Sequence, residues 1–289
     1  MTTGTRYGTT AVTDSGAGDE MDMVDQWTMV KGADDLAAER AVTRRAQLKL
    51  IRTEARLALR EPAGVIFGIG LPVVLIVIFG NLPTFRSPDP SLGGMTPLEV
   101  YLPLLIVLSM SLIGMTTLPG PLATYREQRI LRRLATTPIS PARVLAAQFA
   151  VTGTMALISL GLLLGLGAGA FGLSVPRQPA GFALTVLLGL AGLLALGMWI
   201  AAIAPTGRAA QYIGGGLFYP MQFLAGLWLP QQGMPPVLRD ISECSPLGAM
   251  VNAMQSSIDG SFPAVRELLV LAAYAVGFAL LAVRQFSWD

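Results

Sequence analysis

The chain has 289 residues, 53% of them hydrophobic and only 13% charged, with a mean hydropathy of +0.58. So apolar a composition cannot be hidden inside one soluble core and points to a polytopic, all-α membrane protein. With no histidine and one cysteine, Cys244, the chain excludes a histidine general base, a zinc cluster and an internal disulfide, and its net charge of +2 conceals arginines gathered in two places.

Residues 1–33 are rich in Thr, Gly, Asp and Ser and read as a disordered cytoplasmic tail. Over residues 34–62, Arg45, Lys49, Arg52, Arg56 and Arg60 recur every three or four positions beside Leu48, Ile51, Ala55 and Leu59. That spacing predicts a basic amphipathic helix lying in the headgroup layer, its arginines on anionic lipid. A plain topogenic charge cluster would carry the same residues. Pro62 closes this helix, and the first apolar run starts only at Ala63, so no cleaved secretory signal is expected.

Crossing a hydrocarbon core of about 30 Å takes about 20 apolar residues. Runs of that kind lie near 63–82, 100–123, 145–173, 180–204, 211–229 and 267–283, so residues 63–289 are expected to form a six-span domain. Arg44 to Arg60 precede the first run, and Arg126, Arg129, Arg132, Arg133 and Arg143 lie between the second and third. By the positive-inside rule both termini are cytoplasmic, and the outer loops keep only Arg86, Arg177, Arg239 and Arg266.

Between the second and third runs, Tyr125 to Pro138 reads as a short cytoplasmic helix. Arg126, Arg129, Arg132 and Arg133 share one side, and Ile130, Leu131 and Leu134 the other. Glu127 falls among the apolar residues, where it suits a basic partner, or serves as a first-turn carboxylate favoured by the helix dipole. Further on, Gly161, Gly165 and Gly169 repeat every fourth residue, as in spans that pack closely on a neighbour. The fifth run carries Gly214 to Gly216, then Phe218, Tyr219, Pro220, Phe223 and Trp228. It is expected to kink at Pro220 and to border the path of an amphipathic substrate, or else to pack as an ordinary span with Trp228 at the interface. Between Pro230 and Pro263, prolines open two short helical patterns, which form either half-inserted outer helices or a surface loop on the span ends.

The segment from Tyr125 resembles the coupling helix of the ABC type-2 export permease family, whose pattern runs Glu-Arg-Glu-x-Gly-Thr-Leu-x-x-Leu and then Pro. Arg126, Glu127, Leu131, Leu134 and Pro138 match; Tyr125, Arg129 and Ile130 depart from it. The stretch Ile139 to Gln148 is similar to the antibiotic-resistance permeases of actinobacteria, including the daunorubicin exporter subunit. The resemblance covers roughly residues 35–289. It implies re-entrant outer helices before the last span, a separate P-loop ATPase docked on Arg126, Glu127, Ile130, Leu131, Leu134 and Pro138, and a second permease chain, identical or different. It also implies export of a small amphipathic compound, an antibiotic, drug, lipid or glycolipid, from a bacterial plasma membrane.

The chain itself has no P-loop, since its two lysines follow Val30 and Leu48, so ATP and magnesium belong on the partner and the chain is not expected to be an enzyme. No charged residue occurs from Val100 to Tyr125, Val144 to Pro176 or Gln178 to Gly207, which disfavours ion coupling, although carbonyl-based sodium sites remain open to an ion-coupled transporter. A membrane scaffold is the reading from outside transport. The partners expected are thus an ATPase, a second permease chain, membrane lipids and a small amphipathic substrate, and no nucleic acid.

Overall fold

A computed structural model of the chain describes residues 62–128 and 141–285, together with Thr53, Ala55 and Arg56. The expected tail, most of the amphipathic helix, and Ile130, Leu131, Leu134 and Pro138 lie outside the described residues. Within them the structure is helical, with no strand.

The chain enters through α1 (Pro62–Val65), widens into a π-helical turn at Ile66–Gly70 and continues as α2 (Leu71–Asn81). After a short helix α3 (Pro83–Arg86), α4 (Pro97–Ser111) runs through a second π-helical turn at Leu112–Thr117 into α5 (Pro119–Glu127). Four longer helices and a hairpin follow: α6 (Pro141–Phe171), α7 (Pro179–Ile203), α8 (Gly207–Ala225), the short pair α9 (Pro236–Cys244) and α10 (Pro246–Asp259), and α11 (Val265–Gln285). The stretches Pro97–Glu127, Arg143–Phe171, Pro179–Ile203 and Val265–Gln285 are long and apolar enough to cross a membrane. The helix at Ile66–Asn81 is apolar but shorter, and α8 carries Arg208, Gln211 and Gln222. Length and composition therefore mark four of the six expected spans.

Helix starts follow from local chemistry. Thr96 and Glu99 form a capping box, in which the Glu99 carboxylate accepts from the Thr96 amide at 2.8 Å and the Thr96 hydroxyl accepts from the Glu99 amide at 3.3 Å. Thr206 accepts from the Ala209 amide at the start of α8, and Ser245 from the Gly248 amide at the start of α10, each cap contributing about 1 kcal/mol. Gly226 and Gly260 end α8 and α10 with φ of 97° and 100°, where an L side chain would be strained.

The second long helix is the axis of the bundle. Leu104 to Ser111 are all buried, the pattern of a helix apolar on every side because it is surrounded. It packs against α2, α6 and α10, while α11 lies along α7. The segment between Pro230 and Pro263 is no surface loop: Leu247, Ala249, Met250, Ala253 and Met254 of α10 are fully buried against its neighbours, α7 among them. A methyl group at Gly189 of α7 would lie 2.4 Å from Met250 Sδ, and one at Gly248 only 2.1 Å from the Ser242 carbonyl oxygen, which fixes the α9–α10 turn.

Close helix approach occurs where the sequence did not advertise it. A methyl at Gly197 would come within 2.2 Å of the Gly114 carbonyl oxygen, and one at Gly214 within 2.0 Å of that of Met115. Two successive carbonyls of the second π turn thus abut two helices, α7 and α8. Within this chain the repeated glycines of α6 meet no neighbouring helix: methyls on Gly161, Gly165 and Gly169 find nothing within 4 Å, on a face beside exposed Leu157, Ile158 and Leu162. In addition, α8 continues through Pro220 as one helix to Ala225.

Gly197→Ala must push α7 off the axis helix and should cost about 1–3 kcal/mol of overpacking. Gly161→Ala should be neutral, or stabilising by up to about 1 kcal/mol through helix propensity. Thermal unfolding of the two purified variants in detergent tests this contrast, and equal midpoints would contradict the packing described.

Candidate functional site

Two arrangements combine the singled-out residues. The first lies where α5 ends. Helical geometry stops at Glu127, with Gln128 as the C-cap (φ −82°, ψ 4°), so Tyr125, Arg126 and Glu127 form the last turn of the axis helix. This corrects the expectation that they open a separate cytoplasmic helix. A first-turn role for Glu127 on its own helix falls with it.

Their side chains reach sideways to the turn that joins α7 to α8. The Arg126 guanidinium donates through Nη1 to the Ala202 carbonyl and through Nη2 to the Ala204 carbonyl. Those are among the acceptors that the last turn of α7 leaves without intrahelical donors, and a cation is favoured there by the helix dipole. Glu127 Oε2 accepts from the Gly207 amide at 3.1 Å, one of the donors left over in the first turn of α8, where an anion is favoured. Neighbouring residues of opposite charge thus occupy opposite helix ends three residues apart. The amide is reachable because Gly207 has no side chain: a methyl there would lie 2.1 Å from Thr124 Oγ1 and 3.0 Å from the Gly120 carbonyl oxygen. Tyr125, on the same turn, packs with Leu145 against buried Ala202.

The second arrangement is an open groove of about 570 Å³ between the entering helix, the axis helix and α8. Phe67, Leu71 and Leu75 form one wall, Leu108, Leu112, Thr116 and Thr117 the floor, and Phe218, Tyr219 and Trp228 the other wall. Of the four aromatic residues expected along a substrate path, Phe218, Tyr219 and Trp228 come together here. Phe223, one helical turn beyond Tyr219, does not line it. Phe218 and Tyr219 meet edge to face at 5.4 Å, with Phe218 buried and Tyr219 63% exposed.

Both π turns border the groove, and π turns are frequent at functional sites because they displace backbone groups from the regular ladder. Here those groups are accounted for. The Ser109 hydroxyl donates to the Gly68 carbonyl at 2.6 Å and shares a second 2.6 Å hydrogen bond with Ser159. Thr116 Oγ1 donates to the Leu112 carbonyl at 2.6 Å, and the Leu118 amide to that of Ile113 at 3.1 Å. Sequence reasoning missed the wall from Phe67 to Leu75. The available signal was Gly64, Gly68 and Gly70 in an otherwise bulky run: methyls at Gly64 and Gly68 would stand 2.9 Å from Thr117 and 2.7 Å from Ile113.

Among the described residues the buried polar side chains are Ser, Thr and Gln, all neutral, and no group of three potential metal ligands occurs. An apolar, aromatic-walled groove with hydroxyls on its floor suits a hydrophobic or amphipathic molecule better than a bare ion.

The family model described as ABC-2 type transporter matches residues 47–258. The chain is similar to YvfS of Bacillus subtilis (strain 168), assigned as a transport permease, with 24% identity over 230 residues that cover 79% of this chain and 92% of that protein. On the family match, which spans most of an all-helical, membrane-crossing body, the chain belongs to the ABC-2 type transporter family and is a membrane transport permease.

Proposed function

We propose that this permease is the membrane half of an ATP-driven exporter in a bacterial plasma membrane, moving a hydrophobic or amphipathic compound, an antibiotic or drug in the first instance, out of the cell. The observation that carries this reading is the groove bounded by Phe67, Phe218, Tyr219 and Trp228, whose walls are apolar and whose surroundings hold no buried charge among the described residues. A substrate held there would be recognised by ring stacking and apolar contact, with Thr116, Thr117 and Gln211 available for its polar groups.

Energy must come from elsewhere, because the sequence has no phosphate-binding loop. In this reading a separate P-loop ATPase, carrying ATP and magnesium, docks on the segment from Arg126 through Ile130, Leu131 and Leu134 to Pro138. Arg126 and Glu127 form its anchored root. Two permease chains pair, giving two sets of six spans with α2 and α8 counted among them and all termini cytoplasmic. The buried α9–α10 hairpin then enters the membrane from the outer side and returns.

Two measurements test this. Extraction of the tagged full chain in mild detergent should bring a P-loop ATPase with it in stoichiometric amount; a folded chain that emerges alone from several detergents would move ion-coupled transport or a scaffold role ahead. In that complex, Tyr219→Ala or Trp228→Ala should each weaken the apparent affinity for a stimulating substrate by about fivefold, equivalent to about 1 kcal/mol of aromatic contact, with basal ATP hydrolysis unchanged. Phe223→Ala, outside the groove, should leave that affinity at the wild-type value.

A further inference from the structure

The end of the axis helix and the α8 wall of the groove are parts of one connected body, and two side chains join them at the α7–α8 turn. Arg126 holds the last carbonyls of α7, Glu127 holds the first amide of α8, and both belong to the final turn of the axis helix. From that turn, α8 runs back along α5 with Gly207 against Thr124 and Gly120 against Gln211, then past Gly214 on the Met115 carbonyl to Phe218 and Tyr219. Residues 204–206 are the chain between α7 and α8, tied to them by the Ala204 amide on the Ile200 carbonyl and the Ala210 amide on the Thr206 carbonyl.

We infer that Arg126 and Glu127 are positioning residues that lock the α7–α8 turn to the end of the axis helix, so that a displacement of the following segment carries the α8 wall of the groove with it. This rests on the proposed docking of an ATPase beyond Gln128 for its source of motion, but the lock is a property of the permease alone. Its chemistry separates it from a docking contact. The groups that Glu127 and Arg126 hold are main-chain dipoles, not side-chain charges. A neutral acceptor at 127 can therefore still bind the Gly207 amide, whereas a salt bridge to a basic partner needs the carboxylate charge.

The test uses the full chain in lipid nanodiscs, with Glu127→Ala and Glu127→Gln compared. Glu127 is exposed, so neither change disturbs the core. Hydrogen exchange in the 204–209 stretch should accelerate about tenfold in Glu127→Ala, as expected when one charge-assisted hydrogen bond is lost, and stay near wild type in Glu127→Gln. For the transmitted part, nitroxide labels at Ile66 and Tyr212, both exposed, with Cys244→Ser as background, report the distance between the entering helix and α8. Its distribution should broaden in Glu127→Ala and not in Glu127→Gln.

Unchanged exchange in Glu127→Ala would overturn the lock. Faster exchange with an unchanged label distance would reduce the pair to helix caps and overturn the transmission. Glu127→Gln losing a co-purifying ATPase as fully as Glu127→Ala would assign the carboxylate to a partner instead. If no ATPase accompanies the wild-type chain, the proposed export function fails while the exchange and distance results still decide the lock.

Discussion

The rest of the structure depends on the π turn at Leu112–Thr117, against which two other helices close to backbone contact. An α-helix in an apolar surround has no water to satisfy a displaced carbonyl, so a widened turn survives only where side chains or neighbours cover its backbone. Thr116 and Leu118 take the carbonyls of Leu112 and Ile113. Gly197 and Gly214 close over those of Gly114 and Met115, at separations that any side chain would break. The axis helix is consequently buried over most of its length, and α7 and α8 take their places from it.

That constraint sets the geometry of the groove. Because α8 is pinned at Gly207 and Gly214, its aromatic residues one turn further on are carried to the edge of the axis helix. The entering helix meets the same axis through Gly64 and Gly68, and its own π turn is tied down by Ser109. Phe67 and Tyr219 are left as opposite walls with a floor of Leu108, Leu112, Thr116 and Thr117. Buried serine and threonine hydroxyls serve the backbone here, which explains how polar residues persist in segments without charge.

The α7–α8 turn shows one turn of sequence meeting two needs. Helix α7 ends with carbonyls lacking partners and α8 begins with amides lacking them, and three residues later the chain must already be helical again. An Arg–Glu pair on a third helix meets both at once, each side chain at the helix end whose dipole favours its charge. The dipole reasoning applied to Glu127 from sequence was sound in its chemistry but attached to the wrong helix, because the amide it binds is 80 positions away.

Much of the architecture was legible in the chain. Apolar run lengths located the helices to within a few residues, since covering a hydrocarbon thickness is a property of consecutive residues. Capping at Thr96, Thr206 and Ser245 is likewise local, and the aromatic cluster of α8 was visible as a departure from the Leu, Ala and Gly background. Which glycines matter was not legible: the regular repeat at Gly161, Gly165 and Gly169 faces outward, whereas Gly197 and Gly214 close to backbone contact on the axis helix. A repeat reports only that small residues share a helix face. Whether a second helix lies on that face depends on residues distant in the chain. For the same reason Phe223 could not be separated from Phe218 and Tyr219, nor the partners of Arg126 and Glu127 named. Local sequence determined that the chain crosses a membrane and where its helices begin and end; tertiary packing alone decided which faces touch, because those contacts join backbone atoms that no residue pattern encodes.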